Sequence, residues 1–290
     1  MIVVSTIELA PETRIGFVAM RVADLEKMAT WYQEVAQLAV LKRESDQIFL
    51  GTRTNQQVLV ILRQIAKGDT TQATGLDHFA IVLPNPGALG AAHKHINQVA
   101  TVVNRFKNGY SKGFEVVDPE GNGIEFIIDE AIEQFHEADS YNWQDEDTKT
   151  IKAEELERHV DKDYSGVPSG SSVGHVQFRI RDLAATEQYL VSGLGFQIKP
   201  AAAKDQIFLA AGDYHHHIGI TLRVDAKLPV ATPTSLGLDY VNFVVPSAGG
   251  LDAIIANLNE QGISDYQYDE AHHYLMIAGP NQLTLWFTVA

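Results

Sequence analysis

Short stretches of alternating apolar and polar residues begin at four points along the chain, near Gly16, Gly75, Gly174 and Gly237. This alternation has the two-residue period of a half-buried β-strand. A segment with helical spacing follows each stretch, and several short strands with turn signals follow that helix. The pattern therefore predicts a β-α-β-β-β unit that occurs four times. We expect the helices over residues 25–37, 86–99, 183–192 and 250–261.

The chain also repeats itself as two halves. GFVAMRVADL at residues 16–25 matches GHVQFRIRDL at residues 174–183 in Gly, Val, Arg, Asp and Leu, and DQIFL at residues 46–50 recurs unchanged at residues 205–209. A third pair follows later in each half, in the same order, which indicates a duplication. We expect a first domain with units one and two, an acidic linker with a short helix around residues 152–160 and a flexible final run, and a second domain with units three and four. Their predicted bounds are 1–132, 133–172 and 173–290.

Parity along the strands places four chemically notable side chains on the face away from the helices. In the strand after Gly174 every second residue is apolar and packs under the helix, so His175 lies on the opposite face. By the same alternation, His78, Glu125 and His217 also lie on the face away from the helices. An unpaired carboxylate in a strand of Ile and Phe is costly, and a cation removes that cost. Because imidazole and carboxylate suit Fe(II), Mn(II), Zn(II) or Ni(II), we predict a metal site in units two and three.

The corresponding positions of units one and four carry no strong metal ligand: we expect Phe17, Tyr240 and Thr284 there. His215 is expected at an exposed loop tip. The predicted ligands meet only if units two and three share one barrel. If each half closes on itself instead, neither half holds the full set, and we favour the pairing of unit two with unit three.

Composition narrows the class of protein. The 290 residues contain no Cys, which excludes disulfides, Cys-ligated zinc, iron–sulfur clusters and thiol nucleophiles. The net charge of -15 argues against a nucleic-acid partner, since such proteins need a basic face. We find no signal-peptide pattern, no membrane-spanning run, no P-loop, no dinucleotide motif and no serine-hydrolase elbow. We therefore expect a soluble cytoplasmic protein without a membrane partner.

Four motifs resemble those of one family. They are GLDHFAIVLP from residue 75, DPEGNGIE from residue 118, GHV from residue 174 and GDYHHHIG from residue 212. Together they resemble the vicinal oxygen chelate superfamily, in its catechol-2,3-dioxygenase-like, glyoxalase/bleomycin-resistance branch with two tandem halves. The resemblance implies an α+β fold in which four βαβββ units form two pseudo-symmetric half-barrel or cup domains.

The same resemblance implies a site with two His and one carboxylate, which falls on His78, Glu125 and His175. His217 is then a fourth ligand or an acid/base residue, and Tyr214 helps to orient it. Tyr110 stands where relatives often carry a His, as a weak substitute. Fe(II) is the metal expected first, with Mn(II), Zn(II) or Ni(II) as alternatives.

The first functional hypothesis is a metal-dependent extradiol-type dioxygenase that cleaves the ring of a catechol or a hydroquinone-like small aromatic, with O₂ as its second substrate. A glyoxalase-type lyase or isomerase is one alternative on the same scaffold. A non-catalytic small-molecule binding or resistance protein is another. The chain could form a homodimer.

Overall fold

The computed structural model describes residues 7–65, 73–130, 148–199, 205–222 and 229–290. Unit one contains β1 (Arg14–Val22), α1 (Leu25–Glu34), β2 (Ala39–Arg43), β3 (Gln47–Gly51) and β4 (Val58–Gln64). Unit two contains β5 (Gly75–Val82), α2 (Pro86–Val99), β6 (Val102–Lys107), β7 (Ser111–Val117) and β8 (Gly123–Asp129). The linker contributes β9 (Lys149–Thr150) and α3 (Ala153–Leu156).

The second half repeats this order. Unit three contains β10 (Ser172–Ile180), α4 (Leu183–Gln188) with a π-helical turn (Tyr189–Gly193), β11 (Gln197–Lys199), β12 (Gln206–Ala210) and β13 (Ile218–Leu222). Unit four contains β14 (Gly237–Val245), α5 (Ala248–Glu260), β15 (Tyr266–Asp269), β16 (Tyr274–Ala278), a 3₁₀ turn (Pro280–Gln282) and β17 (Thr284–Val289). The predicted α+β class and the fourfold βαβββ order are confirmed.

The strands form two open sheets, and each sheet combines one unit from each half. One has the order β15-β16-β17-β14-β1-β4-β3-β2, and the other has β11-β12-β13-β10-β5-β8-β7-β6-β9. Units two and three thus share a sheet through the antiparallel pair β5 and β10, as we favoured. Among the described strands neither sheet closes into a barrel. The two halves do not form separate sheets, and their bounds at 132 and 173 stay a prediction.

Helices α1, α2 and α4 begin where the sequence predicts, whereas α5 begins two residues earlier, at Ala248 instead of residue 250. Asp24 and Asp182 cap α1 and α4 by accepting from backbone N–H groups, of Lys27 and Ala185 respectively. After Gln188 the predicted third helix continues as the π-helical turn rather than as α-helix. The side chain of buried Asn257 donates to two carbonyls of this turn, at 2.7 and 2.8 Å, which satisfies acceptors that the wider turn leaves open.

The linker is more ordered at its end than the sequence indicates. Its helix covers only Ala153–Leu156, and the first part of the linker, residues 131–147, lies outside the described residues. In the Ser/Gly-rich run, Val167 is buried and its N–H donates to the Gln37 carbonyl at 3.1 Å. The end of the linker is therefore fastened to unit one. No helix among the described residues is long and apolar enough to cross a membrane.

A buried carboxylate fixes the turn before β8. Asp118 accepts from the backbone N–H groups of Glu120 and Asn122 at 2.9 and 3.0 Å, and from the Asn122 side chain at 2.8 Å. The hydroxyl of buried Tyr32 on α1 donates to the same carboxylate at 3.2 Å. One side chain therefore sets the start of β8 and ties it to the helix of unit one.

We predict that Asp118→Ala lowers the free energy of unfolding by about 2–4 kcal/mol, because four hydrogen bonds lose their acceptor in a buried place. Urea denaturation at pH 7.5 measures the change. Asp182→Ala is the matched control, since it removes one exposed helix cap and should cost about 1 kcal/mol. Equal losses in the two variants would contradict the role assigned to Asp118.

Candidate metal centre

Three adjacent strands of one sheet bring the predicted ligands together. His78 lies on β5, Glu125 on β8 and His175 on β10, and β5 stands between the other two strands. Parallel pairing sets Ala80 opposite Glu125, and antiparallel pairing sets His78 opposite Gln177. The three side chains share the face of the sheet that parity predicts, which we call the cup face. Ligands held on paired strands have little freedom to separate.

The spacing of the donor atoms fits a single metal ion. His78 Nε2 lies 3.7 Å from one Glu125 oxygen, and His175 Nε2 lies 3.3 Å from the other. The ligand atoms of the three residues all lie within 4.8 Å of one another. Metal bonds of about 2.0–2.2 Å, at right or tetrahedral angles, separate neighbouring donors by about 3–3.5 Å. Two imidazoles and one carboxylate are also the donor set that leaves positions open on Fe(II).

The protonation states suit a cation. Burial lowers the pKa of His78, which favours the neutral imidazole that binds metal. Burial alone would raise the pKa of the Glu125 carboxyl, but His78 and His175 outweigh it and bring the pKa below its usual value. The carboxylate is therefore charged at neutral pH, and its contacts among the described residues include the two imidazoles of His78 and His175. A divalent cation would balance this charge.

A second group of histidines packs against the ligands. His216 is buried, and its ring centroid lies 4.4 Å from that of His175. The His216 ring also stacks on Phe208 at 4.1 Å, with 7° between the planes. His215 stacks on Tyr110 at 4.5 Å. The prediction of an exposed loop tip for His215 is wrong, because only 6% of this residue is exposed.

The other predicted residues lie around this group. Tyr214 donates its hydroxyl to Asp129 at 2.7 Å, and its ring lies 4.1 Å from that of His215 and 4.8 Å from that of His217. Tyr110 contacts His215 and also His216, at 5.4 Å. Tyr110 and Tyr214 thus line the histidine group rather than the ligand triad.

His217 occupies a different position from the one expected. Its Nδ1 accepts a hydrogen bond from the backbone N–H of Ala211 at 3.3 Å. Its ring also faces Phe243 of the other sheet at 6.3 Å. The metal-ligand cluster found among the described residues contains His78, Glu125 and His175 without His217. The structure therefore does not bring His217 into the ligand set.

The register of units one and four corrects one predicted equivalence. Trp286 on β17 pairs with Asn242 in the same way that Glu125 on β8 pairs with Ala80. Trp286 is therefore the residue equivalent to Glu125. Thr284 lies two residues earlier. Phe17, Tyr240 and Trp286 therefore replace the three ligands. Their rings form a chain, with centroids 5.9 Å apart for the first pair and 4.5 Å for the second.

Sequence reasoning missed two carboxylates on the cup face. Glu115 on β7 lies directly opposite Glu125, and burial, Glu125 and Asp77 raise its pKa to about 7, although Arg179 acts against them. Asp129 has the same parity as Glu125 at the end of β8. Alternation along β8 could have placed Asp129 on the cup face. The position of Glu115 opposite Glu125 follows only from the antiparallel register of β7 and β8.

The chain is similar to known proteins along most of its length. Residues 14–126 match the family model Glyoxalase/Bleomycin resistance protein/Dioxygenase superfamily. A catechol-2,3-dioxygenase of Bacillus subtilis (strain 168) is 28% identical over 273 residues, which cover 93% of this chain and 94% of that protein. The alignment thus includes both halves.

Solved structures show the same fold. A putative dioxygenase from Bacillus subtilis aligns with a TM-score of 0.63 and 12% identity, over 98% of this chain and 86% of that chain. Glyoxalase I from Zea mays aligns with a TM-score of 0.55 and 14% identity, over 95% of this chain and 92% of that chain. At these identities the likeness concerns the fold alone.

We predict that the metal-free protein binds one divalent ion per chain, and that His78→Ala, His175→Ala or Glu125→Gln weakens binding about 100-fold or more, because each removes a donor. Calorimetric titration with Mn(II) under nitrogen measures this. Metal at 100 times its Kd should add about 2.7 kcal/mol to stability. Asp269→Asn, at an exposed carboxylate–histidine pair, is the control. Unchanged binding in all three ligand variants would contradict the assignment.

The metal-free protein should lose stability as the pH falls below about 6.5. Burial lowers the pKa of His217 to about 3, so the unfolded chain takes up a proton there that the folded chain refuses. His217 alone then contributes up to about 1.4 kcal/mol per pH unit. Urea unfolding at pH 6.5 and 5.5 should show a smaller difference for His217→Gln than for the unchanged protein. An identical difference would contradict this account.

Proposed function

We propose that this chain, whose residues 14–126 match the glyoxalase/bleomycin resistance/dioxygenase (vicinal oxygen chelate) domain, is a metal-dependent extradiol-type dioxygenase. The proposed substrates are a catechol or hydroquinone-like small aromatic and O₂, with Fe(II) as the cofactor. The observation that carries the proposal is the union of His78, Glu125 and His175 on three adjacent strands. The relative named catechol-2,3-dioxygenase supports the reaction type.

Within this proposal His78, Glu125 and His175 would hold the metal through three donors, a set that would leave further positions for the aromatic and for O₂. Bound Fe(II) would supply a Lewis acid and one-electron redox chemistry toward O₂. The protein holds the reactants next to each other, which converts an encounter of separate molecules into a reaction in one site.

The walls of the site suit a flat ring. Ala80 and Ile127 are buried beside the ligands and pack with Phe106. On another side, the stacked rings of His216 and Phe208 offer a flat surface. Gly219 leaves room for the Gln177 side chain, because a Cβ at this position would lie 1.8 Å from Gln177 Oε1. Apolar and aromatic walls of this kind favour an aromatic substrate and exclude water.

A proton acceptor is available near the ligands. Burial lowers the pKa of His215, and more strongly that of His216, so both are neutral at pH 7 and able to accept a proton from a phenolic hydroxyl. His217 was the residue predicted for this task, yet the ring that packs on His175 is that of His216. We therefore assign the acid/base role to the His215–His216 pair, with Tyr110 and Tyr214 supporting it.

The test is ring cleavage by the protein reconstituted with Fe(II) without air. Addition of catechol and air-saturated buffer should produce the absorbance of a ring-opened product, together with uptake of one O₂ per catechol. His78→Ala should lower kcat at least about 10³-fold, because the metal loses a donor. Oxygen uptake is the second, independent readout.

Asp269→Asn is the control, since this carboxylate lies on β15 in the other sheet and pairs with His272 there. If the iron-loaded protein cleaves no catechol or hydroquinone, the proposal is wrong. Isomerisation of a hemithioacetal by the same sample would then identify a glyoxalase. Tight binding of an aromatic without turnover would identify a binding protein.

A further inference from the structure

One carboxylate on the cup face contacts two residues of the loop that carries the three histidines. Asp129 lies on β8, four residues beyond the ligand Glu125. Its Oδ2 accepts from the Tyr214 hydroxyl at 2.7 Å, and its Oδ1 lies 3.4 Å from His215 Nε2. Both partners belong to residues 211–217 between β12 and β13, which we call the histidine loop. Asp129 therefore links the strand of a metal ligand to this loop.

The contacts continue from His215 toward the metal centre. His215 Nδ1 and His216 Nδ1 lie 2.8 Å apart, and the His216 ring packs on His175. Phe208 and Tyr110 hold the two imidazoles by stacking, which fixes their planes. Planes alone do not decide which ring nitrogen carries the proton. That choice depends on hydrogen-bond partners.

The Asp129 carboxylate determines which ring nitrogen of His215 carries the proton, because a carboxylate only accepts hydrogen bonds. His215 must therefore carry its proton on Nε2 to donate to Asp129. Neutral His215 then has an unprotonated Nδ1, so the short contact requires His216 to donate from its own Nδ1. Neutral His216 keeps its Nε2 as an acceptor. A single charge on β8 thus determines the tautomers of two successive rings.

We propose that Asp129 is a positioning residue that sets the tautomers of His215 and His216, so that His216 presents an unprotonated Nε2 beside the metal centre. The role in turnover rests on the proposed function, in which this nitrogen accepts the proton of the aromatic hydroxyl. The tautomers themselves do not depend on any activity.

The Asp129 side chain is accessible to solvent from two cavities. A cavity of about 330 Å³ lies on one side, lined by Asp129, Arg14, Tyr214 and His217 among others. A second cavity of about 460 Å³, lined by Lys112 and Gly170 among others, reaches Asp129 from another side. About 20% of its side chain is exposed. Water thus reaches the carboxylate from both cavities.

The test compares the metal-free protein with Asp129→Asn by long-range ¹H–¹⁵N spectra of the imidazoles. In the unchanged protein we expect the Nε2–H form of His215 and the Nδ1–H form of His216. Asparagine keeps the size of aspartate, and when its Oδ1 accepts from the Tyr214 hydroxyl as Asp129 Oδ2 does, its amide N–H faces His215 Nε2 and donates to it, which reverses both tautomers. Asp129→Glu, which retains a carboxylate, should restore the original forms at least in part.

A control and the kinetics separate positioning from general disruption. Asp269→Asn alters an exposed carboxylate that pairs with His272 at 2.9 Å and should leave the tautomers of His215 and His216 unchanged. In the iron-loaded enzyme, Asp129→Asn should lower kcat about 10²-fold, with little change in KM or in metal affinity. Partial recovery is expected for Asp129→Glu.

The outcomes are distinct. Original tautomers that persist in Asp129→Asn, or different tautomers in the unchanged protein, would overturn the proposal even if the protein is an active dioxygenase. Reversed tautomers in a protein that cleaves no aromatic would uphold the positioning role and overturn the proposed function instead. Loss of metal binding in Asp129→Asn would show a structural role and count against positioning.

Discussion

The structure depends on one pairing of strands between the two halves of the chain. β5 of the first half and β10 of the second half run antiparallel, and this contact joins units two and three in a single sheet. His78 and His175 lie on these two strands, and Glu125 lies on the next strand beside β5. Without the pairing no unit would hold more than part of the ligand set. The duplication therefore supplied the metal centre through an interface between halves rather than within one half.

The same duplication produced a second sheet whose cup face has different chemistry. Aromatic side chains occupy all three ligand positions there, and Trp286 takes the place of Glu125. The difference follows from the cost of burying charge. A carboxylate in a strand needs a cation, whereas an aromatic ring is stabilised by its neighbours alone. The second sheet can therefore stay folded without metal, and only the first sheet has a reason to select a cation.

The sequence predicted those features that depend on local rules. Strand parity needs only the two-residue period, so it placed His78, Glu125 and His175 on one face correctly. It did not show that Glu115 lies opposite Glu125, because the register of β7 on β8 is set by the geometry of the turn at residues 118–122 that joins them. It also failed for His215, which a run of three polar residues places in an exposed loop by composition. The loop is buried because the nearby Phe208 stacks on His216 and because Tyr110, from the other half of the chain, stacks on His215.

The site thus divides its work between strands and a loop. Strands hold the metal ligands, because paired backbone fixes distances that a metal requires to within a few tenths of an ångström. The histidines that would handle protons lie on a loop, whose backbone offers no such constraint, and their rings need stacking partners and a charged anchor. Asp129 meets this need because it belongs to the strand of Glu125 and therefore keeps a fixed distance from that predicted ligand. A loop of histidines becomes a defined part of the site only when a rigid element determines how it is oriented and where its protons reside.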